Sequence, residues 1–212
     1  MTGATVPVLV LKSGLEVEDP LGTLRKFCDN EYDTYDGVDT PQDAVLTIHD
    51  ILLSVMMNSF LNAVGARSIW LERARVERHL AEIPATIGLD APETQIPWQT
   101  IIRLFDEFEH IKYAKLSVAS KILYTKRPAL IPMMDSVVQE YYKKAYPDYD
   151  WNWKCAPLAE QLMRHFRDDL LAAKPQLKAL GSELEKEHRT LSLVRLLELL
   201  IWMETERQGY YR

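Results

Sequence analysis

Residues 191–203 read LSLVRLLELLIWM, and their periodicity decides the fold. At 100° per residue, Leu193, Leu196, Leu197, Leu200 and Ile201 fill one side of a helix, while Leu191, Leu199 and Trp202 occupy much of the other. A helix that is apolar on nearly all sides is buried. The stretch therefore predicts a central C-terminal helix, ending near Arg207, with the other helices packed around it.

Working outward from that helix, the 3.6-residue period recurs almost to the N-terminus. Thr40 as a cap, Pro41 in the first turn and the apolar positions Val45, Ile48, Leu52, Val55, Met56 and Phe60 predict a long helix stopped by Gly65. A charge-laced helix follows from Ser68 to about Ile83, then a loop marked by Pro84, Gly88, Pro92 and Pro97. Trp98, Ile101, Ile102, Phe105 and Phe108 form the stripe of the next helix, which is predicted to end near Tyr113. Shorter helices are predicted at 117–125 and from Pro132 onward. One is predicted from Pro157 to a break near Pro175, and another around Leu177, Leu180 and Leu184. Strand character is confined to the start, where Val6, Val8 and Val10 alternate with Pro7, Leu9 and Leu11. The expected architecture is one all-α domain over 1–212, with an irregular N-terminal segment (1–39) containing a short extended piece, and a helical core (40–207).

Composition narrows the class. The chain has 212 residues, 47% apolar and 26% charged, so it can bury a core without disulfide or metal staples. Cys28 and Cys155 are far apart and lack zinc-ligand spacing. The net charge of −6 disfavours indiscriminate duplex binding. No apolar run reaches membrane-spanning length, and the start MTGATVPVLVLKSG lacks a basic region, so no membrane association and a cytoplasmic location are expected. No GxSxG, Walker loop or dinucleotide glycine fingerprint is present, which disfavours the enzyme classes that need them.

The densest chemistry lies between 112 and 144. Lys112, Lys115, Lys121, Lys126, Arg127, Lys143 and Lys144 face only Asp135 and Glu140 there, a net +5 in a chain of net −6. This pattern predicts a surface of Lys121, Lys126 and Arg127 that binds an anionic partner, either a nucleic-acid end or a phosphorylated small molecule. Asp135 sits within it as the candidate catalytic acid/base. Arg195 and Glu198 interrupt the apolar final helix at i, i+3 as an ion pair. Arg195 could instead pair with Asp135 or Asp50, or serve as a further anion clamp. Two Glu-x-x-His pairs, Glu107–His110 and Glu185–His188, have di-metal spacing. Glu107 is expected to point away from the apolar stripe and the second pair to lie on a solvated helix end, so neither a metal site nor a cofactor is expected. Tyr146, Tyr149, Trp151 and Trp153 are expected to fold back over the domain's own core.

The string ASKILYTKRPALIPMMDSVV (119–138), with LLSVMMNS (52–59) and SLVRLLELLIWM (192–203), resembles a bacterial family of unknown function whose members share a Lys-Arg-Pro-x-Leu-x-Pro-x-x-Asp core. The resemblance spans roughly 40–205 and implies no particular activity. The same region is similar to the helix-hairpin-helix DNA glycosylases, which place a Lys/Arg-bearing helix before an Asp at the start of the next one. That similarity implies an enzyme with Asp135 as acid/base and residues 110–125 as the hairpin. The stretch HIKYAKLSVAS (110–120) departs from it, because it has no glycine for close approach to a phosphate. A structural protein without catalysis, in which 126–135 is a packed turn, is the third alternative. Oligomeric state is not legible.

Overall fold

In the computed structural model, which describes residues 8–209, the chain folds as helices around a shared core with one small hairpin. The hairpin pairs β1 (Leu9–Val10) antiparallel to β2 (Glu16–Val17), and Gly14 takes φ +95° in the turn between them. Val6 and Pro7 lie outside the described residues. Leu9, Leu11, Leu15 and Val17 are buried. Ser13 fastens the hairpin to the core by donating its N–H and hydroxyl to Asp169, at 2.8 and 2.6 Å. The helix α1 (Pro20–Glu31) follows, capped by Asp19, whose carboxylate accepts from the Gly22 N–H. Within the described residues 8–39, the N-terminal segment thus holds the hairpin and α1, which starts at Pro20 as expected for a short helix there and runs on to Glu31.

The predicted helix over 41–64 is a shorter one, α2 (Ile48–Met56). Thr47 caps it and Asp50 closes a reciprocal capping box. The next helix, α3 (Ala63–Ala81), is capped by Asn62 and takes in Gly65, which does not end anything. The cause lies in α5 (Leu116–Lys126), which packs along α2. Lys126 and Arg127 take the carbonyls of Pro41, Gln42 and Asp43, at 3.1, 3.0 and 3.1 Å, which ties residues 41–43 to the end of α5 in a non-helical path. At the other end, Lys121 Nζ donates to the Met57 carbonyl at 2.5 Å, where a cation also suits the helix dipole. Asn58 then turns left-handed at φ +59°.

The amphipathic α4 (Trp98–Glu109) buries Trp98, Ile101, Phe105 and Phe108 of its predicted stripe together with Leu104, leaves Ile102 half-buried, and ends four residues before Tyr113. A turn over 110–115 leads to α5, with Tyr113 at φ +66°. The next helix, α6 (Ser136–Ala145), begins four residues after Pro132, because Asp135 is its cap and accepts from the Val137 and Val138 N–H groups at 3.0 and 3.1 Å.

The long helix α7 (Cys155–Glu185) runs through Pro175 without breaking. Pro175 deprives the Leu171 carbonyl of its partner, but Leu171 is 37% exposed, so water can reach it. Ala173, Leu177, Leu180 and Leu184 meanwhile stay buried along one continuous face. The leucines assigned to a separate helix are thus the last turns of α7. Finally α8 (Leu193–Arg207), capped by Ser192, is buried from Val194 to Ile201, including Arg195 and Glu198. It packs against α7, α6 and α1, which is the central position its periodicity required. No described helix is long and apolar enough to cross a membrane.

Candidate functional site

All four predicted cationic residues are buried, and they fall into two groups by whether they line a cavity. Lys126 is fully buried and pairs with buried Asp50 at 2.9 Å and with Asp43 at 3.3 Å. Arg127, also buried, donates to the carbonyls of Leu80 and Ile83 at the end of α3 (both 2.9 Å) and to those of Gln42, Asp43 and Lys126. These two side chains join α2, α3 and α5 from inside. They do not form the solvent-facing surface that charge counting suggested, since a local charge sum carries no information about burial.

The other three candidates, Lys121, Asp135 and Arg195, line one cavity of about 460 Å3. That volume lies in the range of small-molecule sites. Its floor is α8, which supplies Arg195, Glu198, Leu199, Trp202 and Glu206. One wall is α1 and the residues after it (Phe27, Glu31, Tyr35), and another is the 57–60 turn between α2 and α3, with Phe60 wholly exposed at the mouth. Ser117, Lys121, Asp135 and Ser136 close the remaining side.

Arg195 is held on both sides. Its Nε and one terminal nitrogen donate to Asp36 at 2.9–3.0 Å, and its other terminal nitrogen donates to Glu198. Burial alone would lower the guanidinium pKa, but Glu198 and Asp36 hold it above its ordinary value, so Arg195 is a fixed cation. Tyr124 donates to Asp36 at 2.7 Å, and burial with the neighbouring carboxylate pushes its phenol pKa well up. The Arg195–Glu198 pair matches the i, i+3 spacing in the sequence. Its second partner is Asp36, from the acidic run 29–39, and not Asp135 or Asp50.

Three polar groups at the cavity remain uncommitted. Lys121 is 96% buried, makes no described hydrogen bond beyond Met57, and has no ion-pair partner among the described residues, so the ammonium keeps donors in hand. Burial lowers its pKa, with Asp135 and Glu198 opposing that shift. Asp135 uses Oδ1 for both capping bonds, and no described group donates to Oδ2. Glu198 gives Oε2 to Arg195, while Oε1 has no described partner. Burial raises the Glu198 pKa to about 7, against the pull of Arg195, with Asp135 adding to the rise.

The turn over 110–115 offers no glycine, and Tyr113 occupies its left-handed position, so it lacks the open backbone that a phosphate clamp uses. Glu107 does not point away from the fold. It reaches Arg75 at 2.9 Å and His79 at 3.3 Å across the α3–α4 contact. In the aromatic loop, Tyr146 (ring centroids 4.1 Å apart), Tyr149 and Trp151 enclose His165 of α7, whereas Trp153 is 78% exposed beneath Lys143. Among the described residues, no three His, Cys, Asp or Glu side chains cluster as metal ligands.

The profile of a family described as a family of unknown function (DUF6308) matches residues 17–205, which include every cavity-lining residue except Glu206. No curated protein and no solved structure matches the chain.

Proposed function

The chain belongs to DUF6308, a family of unknown function, and from its geometry we propose that the cavity above α8 binds a small organic molecule that presents an anionic oxygen to Lys121. One observation carries this reading: Lys121 is almost wholly buried, lines a cavity of small-molecule size, and has donors that no group among the described residues accepts. A ligand carboxylate or polarised carbonyl satisfies them. A phosphate dianion is a poor match, because Glu31, Asp135, Glu198 and Glu206 all line the same space and Arg195 is already neutralised by Asp36. The same acidity argues against a nucleic-acid end, so the anionic partner narrows to a singly charged small molecule.

A second reading, catalysis, is favoured by the Glu198 carboxyl. A group titrating near neutrality beside Asp135 Oδ2 has the properties of an acid/base pair acting on a bound ligand. Glycosylase-like chemistry at Asp135 alone draws less support, since one of its oxygens is committed to capping α6.

The test compares 3-phenylpropionate with phenyl phosphate by ligand-observed NMR, on the wild type and on Lys121→Met. The carboxylate is expected to bind the wild type at millimolar concentration and to lose that binding in the variant, with phenyl phosphate weaker throughout. Equal binding of 3-phenylpropionate to both proteins, or none to either, refutes the reading.

A further inference from the structure

Lys121 accounts for only part of the chemistry in the cavity. Two further groups, Asp135 Oδ2 and Glu198 Oε1, are acceptors without described donors. Glu198 is 96% buried, so its free oxygen has little access to bulk water outside the cavity that it lines. An acceptor left unsatisfied in such a place costs free energy, and a donor from a ligand removes that cost. Two carboxylates beside one lysine also leave the interior short of positive charge, because the one other cation, Arg195, is shared between Asp36 and Glu198. Glu31 and Glu206 at the rim deepen the deficit. Much of the remaining lining is apolar or aromatic, with Phe27, Tyr35 and Trp202 beside Met57, Met133 and Leu199, and suits an apolar body.

We infer that the ligand is a zwitterion of the amino-acid type, its carboxylate on Lys121, its ammonium between Asp135 Oδ2 and Glu198 Oε1, and its apolar side chain against Phe27, Tyr35 and Trp202. This rests on the proposed function for the carboxylate end and adds the cationic end to it. A ligand without donors leaves both acceptors unmet, a neutral donor meets them without supplying positive charge, and a simple amine leaves the lysine unmet. A molecule with both charges satisfies all three groups through charge-assisted bonds.

Three probes that share one skeleton separate these cases: phenylalanine carries both charges, 3-phenylpropionate the anion alone, and phenethylamine the cation alone. Affinities are measured by calorimetric titration against the wild type and Asp135→Asn. Asparagine caps a helix as well as aspartate does, so α6 and the fold are retained while the charge is removed. Phenylalanine is expected to bind the wild type at least about tenfold more tightly than either relative, the worth of one charge-assisted bond. In Asp135→Asn its advantage over 3-phenylpropionate is expected to shrink several-fold, while 3-phenylpropionate itself binds no more weakly. If 3-phenylpropionate matches phenylalanine on the wild type, the zwitterion is overturned and the Lys121 site stands. If phenethylamine matches phenylalanine, the carboxylate contact and the Lys121 reading both fall. Binding of none of the three overturns both, and an unchanged phenylalanine advantage in Asp135→Asn overturns the ammonium position.

Discussion

Replacing Lys126 with methionine keeps the length and apolar stem of the side chain and removes only its charge. Three acceptors lose their partner: the Asp50 carboxylate at 2.9 Å, the Asp43 carboxylate at 3.3 Å and the Pro41 carbonyl at 3.1 Å. Asp43 is largely exposed and can turn to water, but Asp50 is 1% exposed and cannot. It keeps bonds from the Thr47 N–H and from the Thr47 and Thr125 hydroxyls, so its charge stays in place without a counter-ion. Removing one partner of such a buried pair costs about 3–5 kcal/mol. For a chain of this size, each kcal/mol shifts Tm by roughly 2–4 °C, so a fall of about 10 °C is expected in scanning calorimetry. Adding Asp50→Asn removes the stranded charge and should recover part of the loss, making the two substitutions non-additive. A Lys126→Met protein that melts within a degree or two of the wild type refutes this account.

Two further outcomes follow from the same physics. Glu198 has a folded pKa of about 7, above the roughly 4.3 of a free glutamate, so its contribution to stability is fully present below about pH 4 and is lost as pH rises through 7. The stability of the wild type relative to Glu198→Gln should therefore fall with a slope approaching about 1.4 kcal/mol per pH unit, then level off. A difference that stays constant, or grows with pH, contradicts the burial argument. Pro175→Ala supplies an N–H to the Leu171 carbonyl inside α7 and should raise stability by about 1–2 kcal/mol in denaturant titration, and a decrease would mean that α7 needs the proline's shape.

Legibility in the sequence followed the kind of force involved. The stripes of α4 and α8 were plain because burial imposes a period on apolar residues, and Leu196, Leu197, Leu200 and Ile201 obey it. Lys121, Asp135 and Arg195 could be nominated because charged residues are conspicuous amid apolar runs. Lys126 and Arg127 were equally conspicuous and were misread, since nothing local distinguishes a solvated lysine from one whose partner lies eighty residues upstream. Asp36 was missed for the complementary reason. It is one of several acidic residues in a turn-prone run, and its contact with Arg195 spans 159 positions. Even α2 is shorter than its apolar spacing suggests, because Lys121, Lys126 and Arg127 hold the carbonyls on either side of it and the Thr47–Asp50 capping box starts it late. Pro175 was read as a stop because its local cost was visible and the continuous buried face that offsets it was not.

The placement of Trp202 has a practical consequence. Of the five tryptophans in the chain, it alone lines the cavity. An indole set between Leu199 and Glu206 above the Arg195 network emits according to the polarity around it, so a molecule that displaces water there should shift its emission. Under the proposed function this indole would report occupancy without any label, and Trp202→Phe would remove that signal.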